Sequence, residues 1–315
     1  QQFIENVPNG STILFPDGAT YQVGSFVNVW GRKDLTFEGN GATLQLTGVA
    51  TWEGGGIQFA KSDRITLRDL TIVGNHPYSG TRNALQNDQG QHGIYVRSSD
   101  DVLIERVDVS YVAGDCFNIR ALKPPAGESA VWSNRVTIRD SRCTLTGRMG
   151  VVIHGAADVL IEDNVWDEIG FGVFGMEPNR SHEGAERVVI RDNVIGSYML
   201  TDRFSPKLIY ACDSTWIDAP STIRDVLFTR NTVEGNVSPK SGEVTGLHVK
   251  ICGDRGKRRN FTVTNNTAKQ AVNGPAMTFT EVKGVTVTGN KQPLTKGTLA
   301  AFPGSTRVTY EENDK

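Results

Sequence analysis

The sequence predicts an all-β fold in which short parallel strands coil into a solenoid of about nine to ten rungs walled by three parallel sheets. Three observations predict it. A phrase of alternating apolar residues that ends in a polar pair recurs along the chain, its copies lie 23 to 38 residues apart, and glycine is abundant at 34 of 315 residues. A single rung cannot bury its own apolar face, but stacked rungs share one continuous core.

The phrase reads "LTFEGN" to Asn40, "VLIEDN" to Asn164, "VVIRDN" to Asn193, "VLFTRN" to Asn231, "FTVTNN" to Asn266 and "VTVTGN" to Asn290. Three further copies carry Leu70, Val107 and Ser141 at the Asn position. Their central apolar residues are Phe37, Leu67, Ile104, Ile138, Ile161, Ile190, Phe228, Val263 and Val287, which should stack as one buried column. The shortest spacings suit one turn of three short strands at about 3.3 Å per residue. A side-chain amide both donates and accepts, so Asn repeated at one corner can bond rung to rung. The repeat runs through the whole chain, which reads as one domain over residues 1–315.

A second strand precedes each copy: "GGIQFA", "HGIYVR", "DCFNIR", "MGVVIH", "FGVFGM", "LIYACD", "GLHVKI" and "PAMTFT". The long insertions flank this strand, at 74–91, 196–207 and 234–244 before it and at 121–133, 177–185, 213–223 and 252–259 after it. Loops rising on both sides of one sheet make a groove, and loops on a rigid scaffold are the usual carriers of function. Strand alternation then sorts side chains into columns. The middle outward column reads Gln58, Tyr95, Asn118, Val152, Phe174, Tyr210, His248 and Thr278. The next reads Ala60, Arg97, Arg120, His154, Met176, Cys212, Lys250 and Thr280.

Lys and Arg total 33 against 35 Asp and Glu, a net charge of −2. That balance offers no basic footprint for nucleic acid or an anionic membrane, and no apolar run is long enough to span a bilayer. The opening segment starts abruptly and is expected to follow a processed or trimmed end. Four cysteines without a CxxC spacing argue against a zinc or redox motif. Cys212 and Cys252 read as two residues out of register, about 8 Å apart at Cα, beyond the disulfide limit of about 7 Å. Cys143 reads as core and Cys116 as a strand-start residue, so free thiols are expected.

Two carboxyls stand out in the groove. Asp115 begins one groove strand and Glu177 ends another two rungs on, with His92 and Arg148 beside Asp115. Two rungs are roughly 9.6 Å before side chains converge, and the carboxyls of an inverting glycosidase sit about 6.5–9.5 Å apart. Catalysis is therefore expected from Asp115, Glu177 and His92. Tyr95, Arg97, Asn118, Arg120, Arg148, His154, Tyr210, His248 and Lys250 are expected to bind substrate, since aromatic faces beside hydrogen-bonding groups suit sugars and arginine forks onto carboxylates. No metal site and no cofactor are expected. The alternatives are a lyase, with Lys250, His92 or an arginine as base on a uronate, and a glycan-binding or phage-fibre module without chemistry.

Over essentially the whole chain these features resemble the pectate-lyase-like right-handed parallel β-helix superfamily, of single-stranded solenoids. The resemblance implies a polysaccharide or oligosaccharide substrate, a secreted or virion-borne setting, and a monomer or homotrimer. Within it, "QHGI", "GDCF" and "GRMG" are similar to the polygalacturonase strands that begin Asn-Thr-Asp-Gly, Gly-Asp-Asp-Cys and Gly-His-Gly. Asp115 keeps an acid of that pattern, whereas His92, Gly114 and Met149 depart from it. "HVKI" is similar to that family's Arg-Ile-Lys, with Lys250 matching.

Overall fold

The computed structural model describes residues 2–48, 55–76, 90–200, 207–212, 221–237, 242–253 and 257–314. They form a right-handed parallel β-helix. One face is a sheet of ten parallel strands, from Val27–Trp30 and Gly55–Ala60 through His92–Arg97, Phe117–Arg120, Val151–Ile153 and Phe174–Met176 to Ile209–Ala211, Val249–Cys252, Met277–Thr280 and Ala300–Ala301. This is the groove sheet. The other two faces join into one 17-stranded sheet, because strands such as Lys33–Leu46, Asp63–Val73 and Asp100–Ser110 run through the corner between them. The bend is made by one residue in the left-handed region, among them Asp69, Asp163 and Asp192 at φ 54°, 55° and 58°. Asp and Asn tolerate that region best, which is why a polar pair ends the repeated phrase.

The expected core column is present. Phe37 pairs with Leu67, Leu67 with Ile104, and the register continues through Ile138, Ile161, Ile190, Phe228 and Val263 to Val287. All nine side chains are buried. The short helix Gln2–Asn6 lays Ile4 over the first rung.

The asparagines stack as a ladder with one correction. Asn164 donates to Asn193, Asn193 to Asn231, Asn231 to Asn266 and Asn266 to Asn290, with amide distances of 2.9 to 3.1 Å. Asn313 is a further rung, accepting from Asn290 at 3.1 Å. Asn40 is not in the ladder. The register shifts between Glu38 and Ala42, so Asn40 is itself a corner residue at φ 51° and Ala42 takes the ladder position.

Many arginines of the two faces away from the groove are spent on acids one rung away. Arg64 bonds Asp34, Arg135 bonds Asp101 and Arg187 bonds Asp158. Arg68, Arg139 and Arg191 reach Glu38, Glu105 and Glu162 in the same manner. Each exposed pair contributes at most about 1 kcal/mol.

The expectation of free thiols is overturned. Cys116 is bonded to Cys143 with Cα atoms 6.0 Å apart, and Cys212 to Cys252 at 4.7 Å. The error was one of register. Ala211 pairs with Ile251, which sets Cys212 directly against Cys252 rather than two residues away. No helix among the described residues is long and apolar enough to cross a membrane.

Candidate functional site

The observed register defines the groove columns. Asn28, Gln58, Tyr95, Asn118, Val152, Gly175, Tyr210, Lys250 and Thr278 follow one another in the middle column. Phe174 and Met176, expected to face outward, are buried in the core, because Phe174 pairs with Val151 and Met176 with Ile153. That one-residue shift turns Glu177 into the outward neighbour of the strand end. His248 is also displaced: it stands before its strand, and Lys250 takes the middle-column place opposite Tyr210. Of the expected loops, residues 77–89, 201–206, 213–220, 238–241 and 254–256 lie outside the described residues.

Gly175 has a packing reason. A Cβ there would meet the Met149 sulfur at 2.7 Å, so its absence lets the buried Met149 side chain lie across the groove floor.

Around this floor the structure brings the expected residues together through Arg148. Its Nη1 donates to both oxygens of Asp115 at 2.9 Å, and its Nη2 donates to Glu177 Oε2 at 2.6 Å. Asp115 has no exposure at all. Its carboxylate also accepts from Asn118 Nδ2 at 2.9 Å and the Met149 amide at 3.3 Å, and His92 Nδ1 lies 3.2 Å away. Burial pushes the pKa of this carboxyl up, but Arg148, His92 and Asn118 outweigh it and hold the group well below the ordinary carboxylate range. Asp115 is thus a buried, fully bonded anion and does not present a carboxyl to the groove as expected. Burying a charge is tolerable only with such partners.

Glu177 keeps a side chain 16% exposed, and among the described residues nothing is bonded to its Oε1. The main chain of Glu177 is fixed by His154, whose Nδ1 is 2.5 Å from the Glu177 carbonyl oxygen. Burial, with Arg120 and Arg148 nearby, pulls the His154 pKa well below its ordinary value, so the ring is neutral. Arg120 does not reach into the groove freely, since its Nε donates to the buried Glu183 at 2.8 Å. The other Glu183 oxygen accepts from the Asn179 amide at 2.7 Å, tying the loop that carries Glu177. Sequence reasoning missed Glu183, whose one signal was its place within the 177–185 insertion.

His92, Tyr95, Asn118 and His154 are buried, whereas Arg97, Tyr210, His248 and Lys250 keep exposure. Arg97 lies over the Tyr95 ring at 5.0 Å and donates to Gln58 at 2.9 Å. Lys207, also missed, places its ammonium 4.2 Å from the Tyr210 ring centre and 4.9 Å from that of Phe171. Beyond Tyr210, a cleft of about 630 Å³ is lined by His248, Lys250, Asn273 and Thr278 among others. Among the described residues no group of three or more His, Cys, Asp or Glu is arranged to hold a metal ion.

Comparison with known proteins gives the fold a family. The family model described as "Right handed beta helix region" matches residues 29–292. No curated protein matches by sequence. Among solved structures, an endo-xylogalacturonan hydrolase from Aspergillus tubingensis superposes with a TM-score of 0.66 at 12% identity, over 96% of this chain and 82% of that one. The surface protein and adhesin PfbA of Streptococcus pneumoniae gives 0.58 at 13%, covering 99% and 93%. A family 28 exopolygalacturonase from Yersinia enterocolitica gives 0.60 at 15%, over 87% of this chain, which spans only 45% of that enzyme.

Proposed function

This chain belongs to the right-handed β-helix family, and we propose that it cleaves a glycan laid along the groove sheet by hydrolysis, with Glu177 as the group that exchanges a proton with substrate or water. The observation that carries this reading is the Asp115–Arg148–Glu177 chain of hydrogen bonds. Asp115 cancels the charge of Arg148, so the three groups together carry one negative charge, and Glu177 is their exposed end. A fixed negative charge on a rigid sheet favours the oxocarbenium-like transition state of glycoside cleavage. Asp115 then acts as a buried counter-charge that holds Arg148, and through it Glu177, in place. His92 and Asn118 hold Asp115, and His154 holds the Glu177 backbone.

Arg97, Arg148, Tyr210, His248 and Lys250 are the groups left to meet the sugar chain. The exopolygalacturonase and endo-xylogalacturonan hydrolase among the similar structures are followed in reaction class alone. Two disulfides suit an oxidising setting, in keeping with a secreted or virion-borne protein. A lyase reading draws on Lys250, which stands exposed in the middle column and lines the cleft of about 630 Å³.

The test is a panel of acidic and neutral polysaccharides assayed for new reducing ends and for the absorbance of unsaturated uronates. Reducing ends without that absorbance are expected, and Glu177→Gln should lower turnover by about 10²-fold or more. Full activity in Glu177→Gln with a dead Lys250→Ala would hand the chemistry to the lyase reading. Binding without any product would leave a glycan-binding module.

A further inference from the structure

We infer that Trp30 forms a distal sugar-binding subsite, so that the groove holds a long glycan rather than a short one. The inference rests on the glycan-cleaving reading above and extends it to the far end of the same sheet.

Trp30 is 54% exposed, although a tryptophan side chain gains much from burial. Its place in the fold explains why it faces out. Val29 points into the core and strand alternation turns Trp30 to the groove side. The register carries Trp30 to Ala60, Ala60 to Arg97 and Arg97 to Arg120. The indole therefore stands in the outward column that leads to the Glu177 cluster. Five strand-to-strand steps separate the Trp30 strand from the one that Glu177 ends, or roughly 24 Å at the spacing of stacked strands.

The surroundings match a sugar ring better than a bare apolar contact would. A cleft of about 380 Å³ opens beside the indole, lined by Ile4, Glu5, Asn28, Trp30 and Arg32. Its far wall is firm, since the Arg32 guanidinium bonds the Ile4 and Val7 carbonyls and Asn9 Oδ1. On the side towards Glu177, a polar line runs from Asn28 to Gln58 at 2.6 Å and from Gln58 to Arg97 at 2.9 Å. A pyranose offers an apolar face of C–H groups and a rim of hydroxyls. The exposed indole, with the Lys61 ammonium 5.7 Å from its ring centre and the partly exposed Asn28 in the adjoining column, presents the complement of both. The occupant is the distal part of the glycan whose scissile bond lies at Glu177.

Trimers and octamers of galacturonate and of xylose serve as probes. With the full-length chain, Trp30→Ala should raise KM for the cleaved octamer about tenfold, leave its kcat unchanged and leave the trimer unaffected. Trp30→Phe should restore most of the octamer affinity, as a ring-stacking role requires. Octamer binding to Glu177→Gln, read by calorimetry, should weaken by the same factor when Trp30→Ala is added. An octamer preference untouched by Trp30→Ala overturns the subsite alone and leaves the cleavage reading standing. Octamer binding that depends on Trp30 but yields no product in the wild-type chain keeps the subsite and overturns the cleavage. A wild-type chain that neither binds nor cleaves any of the four overturns both.

Discussion

Arg148 joins two acids that play different parts, and the difference lies in burial. A guanidinium between a fully buried carboxylate and a partly exposed one is costly to desolvate, and removing one partner of such a set is strongly destabilising. Asp115→Asn should therefore cost about 3–5 kcal/mol at neutral pH. The Asp115 carboxyl is held well below its ordinary pKa: burial opposes this, and Arg148, His92 and Asn118 outweigh it. The folded protein thus keeps Asp115 ionised at acidities where the unfolded chain has already taken up the proton. Its stabilising contribution is full above the ordinary carboxylate pKa and is lost as pH falls from there through the lowered value. Urea midpoints measured from neutral pH into strong acid should show the gap between wild type and Asp115→Asn narrowing towards the acid end. A gap that ignores pH would refute the account. Asp115 and Glu177 were both visible in the sequence as acids flanking groove strands. That one is buried and the other open was not, because the burying groups come from neighbouring rungs.

At the scale of the element, the corner after the repeated phrase works in two ways. In the early rungs it is packed by Ala42, Leu70 and Val107, all buried. From Ser141 onward it is hydrogen-bonded, beginning where Ser141 Oγ accepts the Val107 amide at 3.1 Å. Asn231 shows what each ladder residue holds. It donates to Asn266 and to the Ile190 and Thr229 carbonyls, and it accepts from the Asn193 amide and side chain. Asn231→Ala would leave several buried groups unpaired, at about 2–3 kcal/mol in all. Asn313, the last ladder residue described, is only half-buried, so Asn313→Ala should cost less, about 1 kcal/mol, because water replaces part of the lost bonding. Equilibrium urea midpoints at constant slope will measure both. Equal losses at the two positions would mean that burial of the ladder does not set its strength.

At the scale of the whole molecule, each rung touches only its neighbours, so links between rungs matter for cooperativity. Both disulfides supply such links. Cys116–Cys143 ties the start of the groove strand Phe117–Arg120 to the strand Arg142–Thr146, and both residues are fully buried. Cys212–Cys252 joins adjacent rungs on the outward side, where Cys252 keeps some exposure. The denatured, unreduced chain should contain no titratable thiol. A mild reductant on the native protein should open Cys212–Cys252 before Cys116–Cys143, as mass mapping of alkylated peptides will show. Replacing Cys116 and Cys143 together by Ala should cost about 3 kcal/mol, read as a lower melting temperature. Four thiols titrating in the unreduced chain would overturn both pairings.

The repeated phrase by itself determined the rungs, the nine-residue core column, the sheet that carries the groove and most of the asparagine ladder. These follow from alternation within a few consecutive residues and from recurrence of one corner, both of which are local to the chain. The tertiary structure alone decided the register of the short groove strands. It turned Phe174 and Met176 inward, set Gly175 and Glu177 on the groove side, moved Lys250 opposite Tyr210 and set Cys212 against Cys252. Insertions of unequal length separate those strands, and nothing within an insertion says where the next strand starts pairing. A slip of one residue reverses every side chain on such a strand, and a slip of two keeps the face but changes the neighbours. Stacking against the adjacent rungs removes that freedom, and with it the ambiguity over which acid faces the groove.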